Sequence, residues 1–107
     1  MSVQILRVAA DSQPHLVAGA IAGQMRENSQ SRIQAIGTNA VYRMIKALII
    51  AQQYVTADEM HLVFTPEFVG IMVDNQERTA VRLNICTRMP QPGSQLVTFP
   101  MDTHRGE

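Results

Sequence analysis

The chain reads as an α+β protein: a two-layer sandwich in β-α-β-α-β-β order, a four-stranded mixed sheet with two helices on one face. Three observations predict this. Two segments with helical apolar spacing each follow a short apolar strand. The last third alternates apolar and polar residues, with one turn signal in the middle. Strand–helix–strand connections in one sheet are right-handed in nearly all proteins, so two successive crossovers put both helices on the same face.

The length of 107 residues makes one domain. Such a chain buries roughly two thirds of its unfolded surface and needs no staples. Val3 to Ala9 is the first strand, with apolar residues at both parities, so it is expected to be buried on both faces or nearly so. Asp11-Ser12-Gln13-Pro14 opens the first helix, Ser12 as cap and Pro14 in the first turn. The helix runs to about Asn28 with Leu16, Val17, Ala20, Ile21 and Met25 as its apolar stripe. Gly19 and Gly23 share a face and cost roughly 1 kcal/mol each relative to Ala. Close approach of another backbone is the expected reason for them.

Glu27 to Ser31 is a polar loop, and Ile33, Ala35 and Ile36 mark the second strand. Gly37-Thr38-Asn39 then leads directly into a second helix of about four turns. Its core stripe is Val41, Met44, Ile45 and Leu48, widened by Ile49 and Ile50. That arc is too broad for a helix facing one sheet, so part of it is expected to face a second subunit. Thr56 to Glu59 ends the helix. His61 to Asp74 is extended, and Pro66 marks a bulge or an edge because it has no N–H for a ladder. Asp74 to Glu77 is a hairpin turn. Thr79, Val81, Leu83 and Ile85 then point one way, and Arg78, Arg82, Asn84 and Cys86 the other, with Arg88 if the strand extends that far. The domain spans 1–88. From Met89 onward three prolines and no periodicity indicate a tail, loosely ordered or docking, 89–107.

Nine basic residues balance nine acidic ones, which counts against strong nonspecific nucleic-acid binding. The basic residues are nearly all Arg, suited to bidentate phosphate contacts. A single cysteine, Cys86, excludes an internal disulfide and a thiolate zinc site, and fits a reducing cytoplasm. No apolar run approaches a membrane span, and the N-terminus lacks the pattern of a signal peptide. His15, His61 and His104 lack metal-ligand spacing, and no activating neighbour marks Cys86 as a nucleophile. No enzyme, cofactor, membrane or small-molecule substrate is expected.

The best candidate site is Gly37-Thr38-Asn39, where a strand turns into a helix N-terminus. Unpaired N–H groups there suit an anion, and Arg43 and Lys46 extend a basic rim. The bland alternative is a capped helix start that binds nothing. Arg78, Arg82 and Arg88 form a second candidate, with cross-strand pairing of Arg78 to Asp74 or Glu77 as the alternative.

Three blocks carry a resemblance: VQILRVAADSQPHLVAGAIAGQMRE, AIGTNAVYRMIKALIIAQQYV and VDNQERTAVRLNI. In this order and spacing, over roughly 3 to 88, the chain resembles the stage V sporulation protein S family. The resemblance implies a bacterial, cytoplasmic protein with a fold similar to the Alba chromatin proteins, which bind DNA and RNA as dimers. It implies nucleic-acid contacts from Ser12 and Gln13; from Gly37, Thr38, Asn39 and Arg43; and from Gln76 to Arg78. It departs from the Alba pattern where Asp11-Ser12-Gln13 and Thr38-Asn39 replace basic residues, and where Asp74 and Glu77 make the hairpin tip acidic. The expected function is a non-enzymatic nucleic-acid-binding regulator of sporulation or a related programme, a homodimer or higher homo-oligomer. The alternative is an oligomeric protein-interaction module without nucleic acid.

Overall fold

A computed structural model describes residues 3–88, so the expected tail lies outside the described residues. The elements are β1 (Ile5–Val8), α1 (Pro14–Asn28), β2 (Gln30–Ala35), α2 (Thr38–Thr56), β3 (His61–Val73) and β4 (Gln76–Arg88). The sheet runs β1-β2-β4-β3. β1 pairs parallel with β2, while β4 pairs antiparallel with β2 and with β3. This is the mixed four-stranded sheet under two helices that the periodicities predict.

Register assigns the two faces. Ile33 opposes Leu83, Ser31 opposes Ile85, and all four are buried with Ala35 toward the helices. From the helices come Ala18, Ile21 and Met25 of α1 and Ala40, Met44, Ala47, Leu48 and Ala51 of α2. Each large side chain fully buried here contributes roughly 2 kcal/mol. Side chains one register step away lie on the other, helix-free face.

Several local expectations need correction. β1 is an edge strand, so Arg7 is exposed and Ile5 only half-buried rather than both faces being covered. β2 begins at Gln30, so Gln30 and Ser31 belong to the sheet and not to a loop. The chain turns immediately after α1 because Ser29 adopts φ 59° and donates its N–H to the Met25 carbonyl. The α1 stripe is rotated from the predicted one. Leu16 is 64% exposed and Ala20 is exposed, while Ala18 and Ala22 are buried. Alanines on both helices supply the close packing. A Cβ added at Gly19 or Gly23 would meet nothing within 4 Å, so no backbone approach explains these glycines. On α2, Ile45 and Ile49 stay exposed, as the overly broad arc predicts.

Of the two expectations for Pro66 the edge holds and the bulge does not: β3 is an outer strand, and the β3–β4 register runs unbroken from His61 opposite Arg88 to Val73 opposite Gln76. The turn itself is Asp74-Asn75, both at positive φ (51° and 64°). That is the two-residue geometry whose twist suits a hairpin. Because β2 leaves β4 at Ala35 opposite Val81, the distal hairpin continues beyond the sheet as a two-stranded arm.

Polar side chains fix the layers. Gln24 of α1 donates to the Gln4 carbonyl and accepts from the buried Ser31 hydroxyl of β2. Gln52 of α2 accepts the Leu62 N–H at 2.8 Å and donates to the Met60 carbonyl at 2.9 Å, tying the helix to the start of β3.

Candidate nucleic-acid interface

The residues singled out in sequence divide into two groups in space. The β1–α1 loop meets the first turns of α2, where Ala10, Asn39, Tyr42, Arg43 and Lys46 line one groove of about 270 Å³. Arg43 Nη1 donates to the Ser12 carbonyl at 3.0 Å, so Arg43 both faces the groove and holds the loop against α2. Lys46 Nζ lies 5.4 Å from the Tyr42 ring centroid, one helical turn away. A cation over an aromatic face is attracted by its quadrupole.

The helix start differs from the capped alternative. Gly37 is the N-cap, with φ 91° and ψ 156°, and no side chain caps the helix. Thr38 and Asn39 are exposed helical residues rather than caps. The first N–H groups of α2 therefore lack a side-chain acceptor and carry the positive end of the helix dipole. The first helix corrects the sequence similarly: Gln13, not Ser12, is its N-cap and makes no side-chain cap bond. Ser12 Oγ instead accepts the Ala9 N–H at 2.8 Å, which shapes the loop.

The arginines of β4 belong to the helix-free face. Arg82 Nε and Nη2 both donate to Gln34 Oε1, at 3.1 and 2.9 Å. Glu67 lies opposite Arg82 in register but accepts from Asn84 Nδ2 at 2.6 Å. Gln76 to Arg78 are exposed on the arm, and Arg78 makes no salt bridge to Asp74 or Glu77. Among the described residues the ion pair is Arg26 with Asp58, across the far end of the helices. Arg78 joins the loop group through a neighbour, since Ala10 lines both the α2 groove and a cleft reached by Arg78. Arg82 does not join it.

Sequence reading missed Arg7 and Arg32. Register sets Arg7 beside Gln34 and Arg32 beside Asn84, on the same face as Arg78, Arg82 and Arg88. Five of the chain's nine basic residues thus share one sheet face, where Glu67 is the acidic residue. The signal was strand parity, and it was hidden because β1 reads as buried on both sides.

A model of the family described as stage V sporulation protein S matches residues 4–88. The chain belongs to that family. Membership ties it to sporulation and agrees with the three sequence blocks. In this stage V sporulation protein S domain, no helix among the described residues is long and apolar enough to cross a membrane.

Proposed function

We propose that this protein is a non-enzymatic regulator of the sporulation programme, binding the phosphate backbone of DNA or RNA as a homodimer. The observation that carries this reading is the convergence of Ala10, from the β1–α1 loop, with Asn39, Arg43 and Lys46 around one groove beside an uncapped helix start, the loop held there by the Arg43 bond to the Ser12 carbonyl. Backbone N–H groups, hydroxyls and amides bind phosphate without reading bases. Few cations line this groove, so affinity is modest and the salt dependence shallow, with a slope near −0.9 per phosphate neutralised on duplex DNA.

Fluorescence anisotropy of labelled duplex DNA and single-stranded RNA at low and near-physiological salt tests it. Lys46→Glu is the cleaner variant, because Arg43 also supports the loop. The variant is expected to weaken binding severalfold and reduce the salt slope by about one. Absence of wild-type binding even at low salt sinks the reading.

A second reading, an oligomeric protein-interaction module, is favoured by one observation. Ile45, Leu48, Ile49, Leu62 and Phe64 line an exposed, apolar groove between α2 and β3. In the first reading the same surface joins the two protomers.

A further inference from the structure

We propose that the helix-free sheet face holds a binding site for a small oxyanion attached to an apolar body. It adjoins the α2 groove at Ala10 but is lined by other charged side chains, and it does not rest on the nucleic-acid reading. Where β1 and β2 end, the hairpin arm closes a cleft of about 340 Å³. That is within the usual range of roughly 300–1,000 Å³ for ligand sites. Arg7, Gln34 and Arg78 line it from three strands, with Ile36, Ile71 and Val73 as apolar walls.

Two independent features point to an anion. The first is unspent charge: neither Arg7 nor Arg78 has a carboxylate partner among the described residues. The second is Gln34. It is only 5% exposed, yet just its oxygen is engaged, accepting both N–H groups of Arg82. No acceptor among the described residues takes up its amide N–H. A buried donor without an acceptor is costly, and here it lines the cleft beside two guanidinium groups. An oxyanion in the cleft accepts from Gln34 Nε2 and the two arginines, while its apolar part covers Ile36, Ile71 and Val73. A bare phosphate leaves those walls wet. The chemistry fits a small organic phosphate or carboxylate, or the C-terminal carboxylate of a peptide. Sequence alone showed no such site because its parts come from β1, β2 and the arm.

The test is a titration of the ¹⁵N-labelled full chain followed by amide chemical shifts. The probes are phenyl phosphate, inorganic phosphate, benzyl alcohol, and acetyl-Ala-Phe as free acid and as amide. Phenyl phosphate is expected to bind about tenfold tighter than inorganic phosphate, because part of the ring is buried. The shifts centre on Gln34, Ile36, Ile71 and Arg78, and benzyl alcohol gives none. Tighter binding of phenyl phosphate supports an organic phosphate. Tighter binding of the dipeptide acid, with its amide inactive, supports a chain terminus. Arg78→Ala, on the exposed arm, weakens either anion about tenfold. Gln34→Glu keeps the acceptor for Arg82 but replaces the amide donor with a charge, and abolishes binding while the spectrum stays dispersed. Equal affinity for the two phosphates, shifts centred on Asn39 to Lys46, or indifference to Arg78→Ala overturns the proposal. None of these outcomes depends on nucleic-acid binding.

Discussion

Gly37 carries a backbone conformation that no other described residue of the chain shares. At φ 91° and ψ 156° it lies in a region open essentially to glycine, although a Cβ there would meet nothing within 4 Å. The obstacle is therefore the torsion, not the space. Gly37→Ala is expected to cost about 1–3 kcal/mol, lowering Tm by about 4–8 °C for each kcal/mol in a domain this size. Gly19 is the control. It sits in an exposed helical turn with open space around it, so Gly19→Ala raises stability by about 0.5–1 kcal/mol. Urea unfolding of the two variants should shift the midpoint in opposite directions. A destabilised Gly19→Ala would show a packing role that the geometry does not contain. The site glycine was legible in sequence because strand, glycine and helix stand in immediate succession. The capping was not, since Ser12, Thr38 and Asn39 are all competent caps and only the local torsions decide among them.

The elements are joined by half-buried side-chain amides more than by charge. Gln52 alone serves the Leu62 N–H, the Met60 carbonyl and Thr56 Oγ1, closing the α2–β3 connection. Gln52→Met keeps the volume but leaves part-buried backbone groups unpaired, at a cost of about 1–3 kcal/mol. Hydrogen exchange at Leu62 should accelerate more than exchange at Leu83 in the central strand. Equal acceleration at both sites would mean the loss is global rather than at the joint. Order and boundaries of the elements were largely readable, because helical and strand periods differ so plainly in Pro14–Asn28 and Gln76–Arg88. Which helical face turns inward was less so. In α1 the packing surface is built on Ala18 and Ala22, whose small size favours close helix contact but gives a weak hydropathy signal, whereas Leu16 gives a strong one and stays outside. Likewise Arg7 went unremarked in a strand read as buried on both faces, and only register sets it beside Gln34 on the helix-free face.

For the whole molecule, charge is neutral in sum but not in distribution. The helix-free face is basic, and the opposite flank of β3 with α2 is apolar: Ile49 is 58% exposed, Phe64 44%, Phe68 79% and Met72 68%. In the proposed dimer a second copy would cover that flank, the base of the arm included, and leave the β1–α1 loops free to bind. Ile49→Glu with Phe68→Glu is expected to convert the protein to a monomer in sedimentation velocity, with the circular dichroism of the fold retained. An unchanged sedimentation coefficient would exclude this flank as the contact. The unbroken β3 ladder has a further consequence for the other way copies can meet. β3 is an edge of 13 residues, long enough to template another strand. Its pairing to β4 is continuous through Pro66, so the donor that proline lacks is missing from the outward row. An incoming strand finds the row interrupted near its midpoint and cannot zip along its full length. One imino acid thus blunts an otherwise open sheet edge against strand addition without breaking the ladder it sits in.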